Sequence, residues 1–285
     1  MPRGDDRPRR PPSGFEGARL TMIEIFAYEF MQRALFAGVI ASVLCGVIGI
    51  YVILNRIVFI GGGIAHTAFG GIGLGYLLGM DPLIFAVLFS VAAALGIGAI
   101  SDRSRVSEDT AIGVFWAAGM SLGIVFVSLS RGYAPDLFDY LFGNILAVSW
   151  NDVLLISVLT LGMIILVALL YKDLLILSFD PSYGEAVGLP TRELRLLLLC
   201  MVALSVVVLI KIVGIILVIA LLTIPGAIGR QHAQSLKRIM AISIFLGASF
   251  VLVGLVLSYQ LNIPSGATII LTASGTFFAS TLLTR

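Results

Sequence analysis

One histidine stands out among the residues able to do chemistry. His66 lies within Gly61-Gly62-Gly63-Ile64-Ala65-His66-Thr67-Ala68-Phe69-Gly70-Gly71-Ile72-Gly73, a run that is otherwise apolar or glycine. An imidazole in such a run either coordinates a transition metal or hydrogen-bonds a neighbouring helix, and the segment alone permits both. Other chemistries are missing from the chain. There is no G-x-x-x-x-G-K-S/T phosphate loop, which excludes ATP binding in the usual manner, and no Ser/His pairing or H-E-x-x-H to support a membrane-embedded enzyme. No apolar stretch carries the serial Asp/Glu/His relay of a pump or the arginine ladder of a voltage sensor. Cys45 and Cys200 sit inside apolar runs and read as small core residues rather than as ligands or a disulfide.

The elements that must position His66 follow from composition. Of 285 residues, 59% are hydrophobic and 12% charged, about half the charge of an ordinary soluble domain. The apolar residues fall into stretches of roughly 20, the length that spans hydrocarbon as a helix, and helices satisfy their own backbone hydrogen bonds where lipid cannot. The sequence therefore predicts an all-α integral membrane protein with eight or nine transmembrane helices. Spans are expected at residues 30–54, 64–80, 82–100, 111–129, 153–171, 196–210, 212–228, 239–259 and 267–283. The pair around Lys211 is too long for one crossing and short for two, and Lys211 reads as an outer-surface turn. Gly71 and Gly75, four residues apart, mark a packing face on the second span.

Orientation follows from the basic residues. With the loop at 101–110 inside, Arg56, Arg103, Arg105, Lys172, Arg192, Arg195, Arg230, Lys237, Arg238 and Arg285 are cytoplasmic, and Arg131 and Lys211 are external. The C-terminus is then expected in the cytoplasm of a cell-membrane protein with lipid around it. A net charge of +2 gives no argument for nucleic acid. Residues 1–21, rich in arginine, proline and glycine without an apolar h-region, read as a disordered extension rather than a signal peptide, leaving 22–285 as one transmembrane domain.

Four segments, taken in order and spacing, carry a resemblance: 61–73, Glu108-Asp109-Thr110-Ala111-Ile112-Gly113, Tyr140-Leu141-Phe142-Gly143-Asn144-Ile145-Leu146, and Val213-Gly214-Ile215-Ile216-Leu217-Val218-Ile219-Ala220-Leu221-Leu222-Thr223-Ile224-Pro225. With the tail Pro264-Ser265-Gly266-Ala267-Thr268, the chain from Met22 onward resembles the ABC-3 permeases of zinc and manganese importers.

The resemblance implies a type II importer fold. Two permease copies would surround a central path, with cytoplasmic ATPases driving it and an extracellular or periplasmic protein delivering metal. The cargo would be zinc first, then manganese or iron, with no permanently bound cofactor. It also implies that Asp180, Pro181, Glu185, Ala186 and Gly188 form the short helix that docks on the ATPase; the residues independently give a helix start at Asp180-Pro181 and a stop at Gly188 with Pro190.

Many members read Gly-Asp-x-x-x-His at the second span, pairing carboxylate and imidazole on one helical face. Here Gly62 holds the aspartate position, and Asn262 holds a second acidic position before the last span. His66 is left as the expected path ligand, with Asp136 or Asp139 of the outer loop, or His66 of a partner protomer, as substitutes for the carboxylate. Two rivals remain: a related importer of chelated iron or an organic cofactor, and an ion-coupled secondary carrier, which normally shows inverted repeats and midplane charges that are not evident here.

Overall fold

The computed structural model describes residues 27–103, 106–130 and 143–284, and among these it is helical with no strand. The helices are α1 (Glu29–Leu54), α2 (Val58–Leu78), α3 (Pro82–Arg103), α4 (Glu108–Leu129), α5 (Trp150–Leu169), α6 (Tyr171–Phe179), α7 (Pro181–Ala186), α8 (Thr191–His232), α9 (Leu236–Leu261) and α10 (Ser265–Leu283), with a 3-10 turn at Ile145–Ala147 before α5. Their ends have local causes. Ser149 caps α5 through a reciprocal box with Asp152. The Ser107 hydroxyl accepts from Thr110 N at the start of α4. Left-handed Gly79 ends α2, and left-handed Asn262 ends α9, with Pro264 two residues beyond.

Eight of these helices are long and apolar enough to cross a membrane, and α8, at 42 residues, is one of them. It is not one rod. Gly214 has φ 78° and ψ 162°, a backbone region essentially reserved for glycine, and the chain doubles back there. Thr191 and Arg192 share a cavity with Asn55, while a Cβ on Gly226 would lie 2.5 Å from Ile53. An unbroken helix would hold residues 191 and 226 about 52 Å apart, yet both meet the end of α1. Residues 191–213 and 215–232 are thus two arms of a hairpin, and the described residues offer nine candidate crossings. Lys211 sits at the tip, bonded to Asp152 at 2.8 Å, which agrees with the turn expected there. The tip is held by glycine on backbone: Gly143, itself at φ 71°, lies so close to Val213 and Gly214 that any Cβ would strike their main chain.

Burial explains why α1 is central. Its Gly49 meets the Leu222 carbonyl of the second arm of α8, its Gly46 meets Ile244 of α9, and Ser42 lies against Gly247 of α9. Small residues permit this approach where no hydrophobic force separates helix from lipid. On α5, by contrast, Leu154, Val158, Leu161, Ile165 and Leu169 are exposed and repeat every three or four residues, forming an apolar stripe on the outside of the single chain. Cys45 is buried, Cys200 is half-buried and both are free thiols, as expected.

α2 starts at Val58, six residues before the expected Ile64. The triplet Gly61-Gly62-Gly63 is helical, and each glycine serves a close contact: Gly61 to Leu222, Gly62 to Trp116 and Ile219, Gly63 to Ile112. Gly71 and Gly75 do form a packing face, against Phe85 and Pro82 of α3. A second glycine face points at α4, where Gly70 abuts Gly119 and Gly73 abuts Gly123, so α2 and α4 run parallel in constant register.

Candidate functional site

Where α2, α4 and the second arm of α8 converge, His66 lies half-buried on α2. Its ring stacks on Trp116 of α4, with centroids 4.4 Å apart and planes 13° from parallel. The imidazole Nδ1 is buried and has no hydrogen-bond partner. Beside it, the Thr67 hydroxyl lies 2.8 Å from the Gly63 carbonyl and 3.0 Å from the Phe115 carbonyl, tying α2 to α4. A Cβ on Gly62 would sit 3.3 Å from the indole and 3.5 Å from Ile219. The space next to the missing carboxylate is therefore bounded by an aromatic and an aliphatic wall.

Asp136 and Asp139 lie outside the described residues. Asn262 is the exposed C-cap of α9, its side chain replaced as a ligand candidate by a backbone role. Among the described residues, no three His, Cys, Asp or Glu side chains gather where they could hold an ion. Trp116 is the residue that sequence reasoning missed; the signal was a lone tryptophan on the helix opened by the 108–113 segment.

A second candidate surface lies at the end of the bundle that carries Arg56, Arg192 and Arg195. Here α7 forms as the sequence predicts. The Asp180 carboxylate accepts from Tyr183 N at 2.9 Å, Pro181 takes the first turn, and Gly188 at φ 85° closes the helix as Leu189 N reaches the Gly184 carbonyl. Ala186 is the last helical residue. Phe179, Tyr183 and Val187, before, within and just after α7, are 61%, 55% and 52% exposed, so apolar side chains around α7 are open to a partner. Glu185 is turned the other way, accepting from the Thr191 hydroxyl at 3.2 Å.

Between α7 and the bundle is an open polar cavity of about 560 Å³, lined by Asn55, Arg56, Asp102, Ser178, Glu185 and the first turn of α8 among others. Its walls are cross-linked by Arg192–Asp102 at 3.1 Å and Arg195–Glu108 at 2.6 Å. These pairs give the 108–113 segment its structural part: Glu108 ties the start of α4 to the start of α8. His66 and α7 belong to different levels of the bundle, one inside the apolar layer and one at its edge.

A nine-crossing bundle with a near-neutral interior, one histidine among glycines and an exposed apolar stripe at its basic end defines a membrane permease, the translocating part of a transporter. Residues 27–284 match the ABC 3 transport family, and the chain belongs to that family. It is similar to an uncharacterised membrane protein of Synechocystis sp., 46% identical over 264 residues, covering 93% of this chain and 94% of that one. It is also 38% identical over 258 residues to the manganese transport system membrane protein MntC of Listeria monocytogenes, covering 90% and 92%. Among solved structures it resembles PsaBC from Streptococcus pneumoniae in complex with Fab, with TM-score 0.81 and 33% identity, covering 90% of this chain and 93% of that one. The chain is accordingly a permease subunit of an ABC transporter rather than an enzyme, and ATP hydrolysis falls to a separate subunit.

Proposed function

We propose that this chain imports a divalent transition-metal ion across the cell membrane, manganese before iron or zinc, as half of a homodimeric path powered by a cytoplasmic ATPase. The observation that carries the reading is His66: one imidazole, half-buried in a glycine-lined span, with no group of three ligand-type side chains gathered among the described residues. Two considerations bear on the metal and pull apart. Imidazole prefers zinc or iron to manganese, whereas the Listeria relative is named for manganese. We favour manganese because a path must release what it binds, and a lone nitrogen donor holds the ion lowest in the affinity series most loosely. The expectation of zinc first gives way on that ground.

The basic end faces the cytoplasm by the charge rule, which puts α7 beside the ATPase and the Lys211 tip toward the protein that delivers the ion. The direct experiment is radiomanganese uptake into proteoliposomes holding permease, ATPase and cognate binding protein. Uptake should require ATP and all three proteins, and zinc should compete with a higher KM. Gradient-driven uptake by the permease alone would make it a secondary carrier and overturn the proposal; a lower KM for zinc would return zinc to first place.

Docking through α7 has its own test. Tyr183→Asp puts a charge in the middle of the exposed stripe without touching the bundle, so expression and thermal stability should stay unchanged, as surface substitutions usually leave stability within about 0.5 kcal/mol. Co-purification with the ATPase and metal-stimulated hydrolysis should both fall by about tenfold, a loss of about 1.4 kcal/mol of association. Normal co-purification would move the contact to another loop.

A further inference from the structure

We propose that Trp116 is a positioning residue for ion transit: its indole fixes the plane of the His66 ring and favours the ion-bound form of the imidazole. The inference rests on His66 being a path residue, and it starts from what His66 lacks. A metal-binding histidine is ordinarily oriented by its second ring nitrogen, which donates to a carboxylate or carbonyl. Here Nδ1 is buried without any such partner, so hydrogen bonding does not set the ring angle. The parallel stack on Trp116 at 4.4 Å does.

The stack is held from behind. Gly70 on Gly119, Gly73 on Gly123 and the Thr67 hydroxyl beside the Phe115 carbonyl lock α2 to α4, so the two rings cannot slide apart as the bundle moves. Gly62 completes the arrangement, since a Cβ there would already press on the indole at 3.3 Å. The absence of a side chain at position 62 and the presence of Trp116 are two sides of one fit. Electronically, a metal-bound imidazole carries part of the ion's charge, and the electron-rich face of an indole attracts positive charge. Trp116 thus supplies by its π-face part of what a carboxylate would supply by its charge.

The chain contains two tryptophans, Trp116 and Trp150. Trp150 is exposed beyond the tip side of α1, donating to Glu29 at 3.0 Å, so Trp150→Phe leaves Trp116 as the sole indole reporter. In nanodiscs holding this full-length variant, manganese chloride should quench the fluorescence saturably, and adding His66→Gln should remove the saturable part. In the reconstituted importer, Trp116→Leu should raise the KM for manganese by about fivefold, equivalent to about 1 kcal/mol, with maximal rate and unstimulated ATPase activity retained. Trp116→Phe, which keeps an aromatic face, should stay within about twofold of the parent. An unchanged KM in Trp116→Leu, where His66→Gln abolishes uptake, would overturn the positioning role and leave the path reading of His66 standing. Normal uptake by His66→Gln would overturn both. If Trp116→Leu does not reach the membrane, the fluorescence experiment decides, and absence of saturable quenching counts against the proposal.

Discussion

Replacing His66 with glutamine is expected to cut manganese uptake by the assembled importer by about tenfold or more, the equivalent of at least about 1.4 kcal/mol at the ion-contact step, while ATPase activity and membrane level remain at those of the parent. Glutamine has similar reach and can still hydrogen-bond, so a packing role would survive the change. An amide is a far poorer metal donor than imidazole, so a path role would not. The surroundings sharpen this contrast. Nδ1 makes no hydrogen bond that glutamine would have to reproduce, and α2 is held to α4 by glycine contacts and by Thr67 rather than by His66. Radiometal uptake, with stimulated hydrolysis measured on the same preparation, separates the outcomes. Full uptake would make His66 structural and send the ion along carbonyls or outer-loop carboxylates.

The second large effect concerns folding. Gly143→Ala and Gly214→Ala should each sharply lower the yield of monodisperse protein in detergent. At Gly214 the dihedrals φ 78° and ψ 162° are open essentially to glycine alone, a strain of about 1–3 kcal/mol for any other residue. At Gly143 the same kind of strain, at φ 71°, coincides with a collision between the new methyl and the Val213 and Gly214 main chain. That main chain cannot yield without opening the hairpin. Gly113, Gly162 and Gly275 have open space where a Cβ would go, and alanine at these positions should leave yield and thermal stability unchanged. Size-exclusion profiles and melting curves of the five variants together test whether the hairpin tip is as tightly made as its angles indicate; a normal profile for Gly143→Ala would show that it is not.

Much of the fold was legible because hydrophobic length and helix caps are local properties. The nine crossings, the Lys211 turn and the α7 boundaries at Asp180-Pro181 and Gly188 all follow from composition and from residues with restricted backbone choices. What was not legible is pairing across the bundle. The expected second span begins after Gly61-Gly62-Gly63, and nothing nearby in the sequence reveals that Leu222, Trp116 and Ile112 approach these glycines from other helices. The association of Gly143 with Gly214, which joins two of the recognised segments at one point, likewise depends on residues 71 positions apart. At the candidate site the histidine was visible by its rarity. Its stacking partner was not, because a tryptophan in an apolar run is ordinarily just a large hydrophobic residue. The acidic candidates Asp136 and Asp139 lie outside the described residues; among those described, Asp102, Glu108 and Asp152 each meet a basic partner.

The α8 hairpin also bears on how the chain enters the bilayer. Its arms, residues 191–213 and 215–232, meet at a single glycine with no polar linker between them, so the only strongly hydrated group that must be carried across with the tip is the Lys211 ammonium. Under the orientation proposed above, the pair forms one two-legged unit with the positive charges at 192, 195 and 230 on the cytoplasmic side. Asp152, on the preceding span, gives the Lys211 ammonium at the tip its counter-charge.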